Sequence, residues 1–158
     1  MITWKPGDPK PTLTQLNSAA RALIAEAFPN WTHLPDPEEN RREHCLEYAI
    51  PIAGTAARSA GAEPGELVVS VVIEEARGSK PPALSFYING RRWPKLDAGG
   101  YHAPRGAGDI ASAGVSFNRK PSEIAADINR RIVQPYLNQY AIQLAEARDR
   151  NASALARV

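Results

Sequence analysis

The chain has 158 residues, the size of one domain, long enough to bury a core without staples. Its 43% hydrophobic and 23% charged residues exclude wholesale disorder, and a single cysteine excludes an internal disulfide framework or an all-cysteine zinc site. The net charge of +2 conceals a split: residues 1–76 carry 6 basic and 11 acidic side chains, and residues 77–158 carry 13 basic and 6 acidic. A basic half of this kind either meets an anionic partner or neutralises the acidic half on folding.

In chain order, Pro6, Pro9 and Pro11 predict an extended arm over 1–11. Thr12-x-x-Gln15 is a capping box. Leu13, Leu16, Ala20, Leu23, Ile24, Ala27 and Phe28 then share one helical stripe. A helix over 13–28 is expected, closed by Pro29. Residues 29–37 read as a connector, and Asp36-Pro37-Glu38-Glu39 has the pattern of a second helix start. Residues 40–60 are ambiguous. Leu46, Tyr48, Ile50 and Ile52 alternate as in a strand, yet 40–49 and 53–60 also suit helices. Two helical pieces broken near Pro51 are the expectation.

Residues 61–65 read as a turn, and Leu67–Ile73 as a largely buried strand because of its β-branched run. A loop at 77–82 leads to a strand over 83–88. Asn89-Gly90 is a strong hairpin signal. Arg91–Leu96 is expected to return antiparallel, as an edge strand, because Pro94 cannot donate to a ladder. Residues 97–111 form a long glycine-rich loop, of a length often tied to function. A short strand comes next at 113–117. Lys120-Pro121-Ser122-Glu123 opens the last helix, with Ile124, Ile128, Ile132, Tyr136, Tyr140 and Leu144 four apart. Pro135 should kink or break it, and the tail 151–158 should fray. The sum is one α+β domain over 1–150: an antiparallel sheet of three or four strands with N- and C-terminal helices on one face.

Few chemistries fit these residues. His33, His44, Cys45 and His102 show no zinc-motif spacing, and adjacent His44 and Cys45 point in different directions on any regular element. Cys45 reads as a packed thiol rather than a nucleophile, and no Gly-x-Ser-x-Gly elbow accompanies it. Glu74 and Glu75 alternate to opposite faces of a strand end. The loop 98–108 lacks both common phosphate-cradling glycine patterns. No convergent acid, base and nucleophile emerge, so neither an enzyme nor a cofactor is expected.

The remaining signal is basic and aromatic. Arg91, Arg92, Trp93 and Lys95 lie on the expected return strand; Tyr101, His102 and Arg105 on the loop; Arg119 and Lys120 at the last strand's exit; Arg130 and Arg131 on the helix. Cations of this kind neutralise phosphates, and exposed aromatics stack on unpaired bases. The expected function is non-enzymatic nucleic-acid binding through 91–105 and 119–131. Charge reversal at Arg91, Arg92 and Arg105 should then abolish binding without unfolding. The competing reading is a protein-binding inhibitor of a host defence or nucleic-acid-processing complex, anti-CRISPR-like or antirestriction-like. In that reading either charged half is the contact surface, and the acidic segment 36–47, with Asp36, Glu38, Glu39, Glu43 and Glu47, is a candidate phosphate mimic. Against the nucleic-acid reading stands Trp93 as plain core, with the edge-strand charges serving only to block aggregation.

The stretch from Gly114 to Tyr136, with its strand, arginine and Ile124-Ala-Ala-Asp-Ile-Asn-Arg-Arg131 helix, resembles the C-terminal part of small proteins from bacteriophages, prophages and plasmids. Trp4-Lys-Pro-Gly-Asp8 and Asn89-Gly-Arg-Arg-Trp93 fit the same pattern. The resemblance covers about a third of the chain and carries no known activity, so no functional residue transfers. It implies only a setting, a mobile-element protein of a GC-rich bacterium. Separately, no apolar run approaches the ~20 residues of a membrane helix and the first residues lack an apolar stretch of signal-peptide length, so a cytoplasmic protein with no membrane is expected, its partner nucleic acid or a host or phage protein.

Overall fold

The computed structural model describes residues 3–34, 43–51, 67–89, 92–105, 110 and 112–157. The elements run α1 (Leu13–Ala27), β1 (Thr32–Leu34), β2 (Cys45–Ala49), β3 (Val68–Glu74), β4 (Ala83–Ile88), β5 (Ala113–Ser116), α2 (Pro121–Ile128) and α3 (Gln134–Ala156). A five-residue π-turn, Asn129–Val133, joins α2 to α3. The strands form one sheet in the order β1-β2-β3-β4-β5, and each neighbouring pair is antiparallel. The class is therefore α+β with helices at both ends of the chain, and the sheet has five strands rather than three or four.

Alternation sets the inner face. Leu46 and Tyr48, Val69, Val71 and Ile73, Leu84 and Phe86, and Ala113 and Val115 are buried in the core with the helices. On β2 the intervening residues Cys45, Glu47 and Ala49 are half-buried. Here the strand pattern prevails over the expected helix. β3 carries a long β-branched run that needs an antiparallel neighbour on each side, and β2 supplies one by the register Leu46↔Val71 and Tyr48↔Val69. Within the expected connector, Trp31 stacks on Phe28 at 3.9 Å between ring centroids. This turns the chain back so that β1 can pair with β2. The expected helix start at Asp36 and the helical piece over 53–60 lie outside the described residues.

The expected return strand over 91–96 is not formed. Arg92 N donates to Asn89 O at 3.0 Å, but Asn89 does not have the positive φ of the expected hairpin turn; Gly90 and Arg91 lie outside the described residues. Residues 92–96 join no ladder, and β5 occupies the free edge of β4 through Phe86↔Ala113 and Leu84↔Val115. Two forces act against the strand. Pro94 removes a ladder donor. The Arg92 carbonyl is also taken by the buried Tyr136 hydroxyl, which donates to it at 2.8 Å.

α1 carries the expected capping box: Gln15 N donates to Thr12 Oγ1 and Thr12 N to Gln15 Oε1. All six residues of the C-terminal four-apart stripe are buried, which an unbroken α-helix would not permit. Four residues advance an α-helix by about 400°, so five such steps drift the stripe by about 200°. The π-turn holds one extra residue and takes out about 100° of that drift. Its defining bond runs from Gln134 N to Asn129 O. It sits just ahead of Pro135, which would clash with the Arg131 carbonyl in a regular turn. The expected break is thus a register shift within one nearly continuous helix.

Both ends are anchored. Residues 3–11 contain no helix or strand, but a turn from Asp8 N to Lys5 O folds them, and Trp4 is buried. At the other end α3 continues regularly to Ala156 through the expected fray. Asn151 Oδ1 accepts from Asp97 N at 3.0 Å, which ties this part of the helix to the loop.

Candidate nucleic-acid interface

The residues singled out by sequence divide into two groups. The first lies on the loop after β4. Lys95 bridges Tyr101 across a tight reversal, with Gly99 and Gly100 at φ +99° and +82°, where a side chain would be strained. This reversal is docked on α3. His102 Nε2 lies 2.7 Å from Glu146 Oε2, and His102 N donates to Pro94 O. Trp93 is only 5% exposed. It meets Tyr136 edge-on at 5.2 Å and stacks with Tyr140 at 6.5 Å. Burial pushes the Tyr140 phenol up to about 12. Arg92 Nη2 is 2.6 Å from Glu47 Oε2.

Three expected contact residues therefore work inside the fold. Trp93 is core and offers no stacking face. Arg92 joins β2 to the loop after β4. His102 latches the loop to α3. Arg91 lies outside the described residues. Lys95, Tyr101 and Arg105 remain exposed.

The second group surrounds α2. Arg119 arrives from the β5–α2 connection, and its Nη1 donates to Asp127 Oδ2 at 2.9 Å. Arg130 Nη2 reaches Oδ1 at 3.2 Å, and Arg131 Nη1 reaches Oδ2 at 3.4 Å. The last two stand three and four residues beyond Asp127, the spacing that puts helix side chains on one face. The Arg119 hydrogen bond, opposed by burial and helped by the Arg131 charge, holds the Asp127 carboxyl below its ordinary value of 3.8. One carboxylate has about four acceptor sites, whereas three guanidiniums carry about fifteen N–H groups. Most of those donors are left for solvent or an incoming anion, and the side chains of Arg130 and Arg131 are 77% and 42% exposed. Lys120, at the N-cap of α2, is exposed beside them.

The two groups do not merge into one patch. Asp127 and Glu146 are 19 positions apart along the helical run, about 28 Å at 1.5 Å per residue. The reversal around His102 docks at the far end, Arg92 and Trp93 meet Tyr136 nearer the middle, and the arginine group lies near the start.

A third cluster has no counterpart among the sequence expectations. The register aligns Leu34, Glu47, Ser70 and Tyr87 in one row across β1 to β4 on the outer face. Ser70 is buried. Burial, with Cys45 beside it, raises the Tyr87 phenol. The signal was the polar half of the alternation: Cys45 and Glu47, then Ser70, then Ser85 and Tyr87. It becomes visible only once β2 is known to be a strand. His44 precedes β2 and is exposed. Among the described residues, no three His, Cys, Asp or Glu side chains gather as a metal site.

The acidic set is also partly committed. Thr14 Oγ1 donates to Glu43 Oε2, and Asn17 Nδ2 donates to the Glu43 carbonyl. Glu47 holds Arg92. Asp36, Glu38 and Glu39 lie outside the described residues. Among the described residues no helix is long and apolar enough to cross a membrane. No protein-family model, curated protein or solved structure matches the chain.

Proposed function

We propose that the chain is a non-enzymatic accessory protein that binds nucleic acid through the phosphates. Arg119, Lys120, Arg130 and Arg131 form the main contact, and Lys95, Tyr101 and Arg105 a secondary one. The observation that carries this reading is the gathering of three guanidiniums around Asp127. The arrangement leaves an excess of two positive charges and many unused donors at the surface. Arginine forks suit phosphate oxygens in both charge and planarity. The resemblance of residues 114–136 to mobile-element proteins adds only a setting. A cytoplasmic location and no cofactor go with this reading.

The test is a titration of the protein with labelled single- and double-stranded DNA and RNA at low and high salt. Micromolar or tighter binding that weakens steeply with salt is expected. Absence of binding at low salt, where phosphate contacts are least screened, overturns the reading.

A further inference from the structure

The Asp127 cluster carries more than a general attraction to phosphates. Its three guanidiniums share one carboxylate, so the group as a whole keeps a charge of +2. An internal phosphodiester brings a single negative charge. A phosphate monoester brings about −1.5 to −2 near neutral pH, together with three strong acceptor oxygens. Only the monoester matches both the residual charge and the surplus donors. The cluster is also held in place before any ligand arrives. Arg119 is anchored through Asp127 to α2, and Arg130 and Arg131 converge on the same two oxygens from the π-turn. Holding the donors together in advance lowers the ordering cost of binding.

We infer that Arg119, Arg130 and Arg131, gathered by Asp127, form a site for a terminal phosphate monoester of a nucleic-acid strand. This rests on the nucleic-acid reading above. Asp127 is a positioning residue in this site, and Arg130 and Arg131 supply the contacts with the end phosphate. Lys120 adds a further charge at the same end of α2.

The experiment compares two single-stranded oligonucleotides of identical sequence, labelled at the 3′ end. One carries a 5′-phosphate and the other a 5′-hydroxyl. Binding of each is measured to the intact protein and to the Arg130→Gln/Arg131→Gln variant, with thermal unfolding recorded for both proteins. The expected result is a preference of roughly fivefold or more for the phosphorylated strand, the size of about one added surface ion pair. That preference disappears in the variant, whose unfolding temperature is unchanged. Should the variant prove unstable, Arg130→Lys alone serves as the milder change, because it keeps the charge but removes the fork. Equal affinity for the two strands overturns the end-phosphate inference and leaves the nucleic-acid reading standing. Binding of neither strand at low salt overturns both. A matched phosphopeptide that binds more tightly than the phosphorylated strand overturns the inference in favour of a protein partner.

Discussion

On the loop after β4, Arg92, Trp93 and His102 turn inward while Lys95 and Tyr101 stay exposed, whereas Arg119, Arg130 and Arg131 gather around one carboxylate and face solvent. Arg92 meets Glu47, Trp93 meets two tyrosines, and His102 meets Glu146. At α2 three arginines meet a single Asp127. The contrast teaches that residue type alone does not mark a binding surface. What matters is how many basic side chains share an internal carboxylate: among the described residues Arg92 and His102 have one each, Glu47 and Glu146, whereas three arginines share Asp127.

Mutation should separate the two regions. The largest effect is expected from Trp93→Ala, which empties a buried aromatic site and should cost about 3–5 kcal/mol in urea unfolding. A change below about 1 kcal/mol would show that Trp93 is not core. Tyr136→Phe should cost about 1–3 kcal/mol. It removes the hydroxyl that accepts from Val68 N and donates to the Arg92 carbonyl. Arg92→Glu should lower the unfolding temperature by setting a like charge against Glu47, and a paired Glu47→Arg change should restore part of it. Loss of nucleic-acid binding by Arg92→Glu with no loss of stability would break the comparison. That result would return Arg92 to the surface role its sequence context suggests.

Acid divides the regions in another way. Burial, with Arg21 nearby, lowers the pKa of His33 from 6.5. The unfolded chain therefore binds this proton more readily than the folded one. Stability should fall as pH drops through 6.5 toward the lower folded value. Asp127 is also depressed, from 3.8, so its contribution is present above that value and is lost only under stronger acid. Between about pH 7 and pH 5 stability should thus decline while the arginine cluster stays intact. His33→Asn should flatten the decline in a pH series of denaturation midpoints; an unchanged slope would place its cause elsewhere. The smallest effect belongs to Arg148 on α3. Its Nε and Nη2 are buried with no hydrogen-bond partner among the described residues. Arg148→Met should be neutral or stabilising by up to about 1 kcal/mol, and a clear loss would mean that the guanidinium has a partner.

Much of the framework is legible in the sequence because local signals agree with the fold. The Thr12–Gln15 capping box, the β-branched run of β3 and the six-residue apolar stripe of the last helix all appear where their patterns place them. Pro135 signals a kink or break in this helix, and the structure shows it as an under-wound turn just ahead of the proline. β2 escapes a local reading because its composition suits a helix and only its pairing with β3 selects the strand. Asn89-Gly90 signals a tight hairpin turn with positive φ at both residues, but Asn89 does not have a positive φ and no antiparallel return strand follows among the described residues. The path of the chain beyond Asn89 is decided by Tyr136, 44 residues away from Arg92, a contact no local pattern encodes. The site is half legible for the same reason. Arg130 and Arg131 stand at helical spacing from Asp127, and Arg119 reaches it from the short connection before α2. Trp93 and His102 are drawn inward by a distant helix.

The central claim is that the arginines around Asp127 make the main phosphate contact while Arg92, Trp93 and His102 build the fold. The most direct measurement is the salt dependence of affinity for a single-stranded oligonucleotide, in the intact protein and in Arg130→Gln/Arg131→Gln. Each single-strand phosphate contact contributes about 0.7 to the slope of log K against log salt, so the variant should lose about 1.4 with its fold intact. An unchanged slope in the folded variant would contradict the claim.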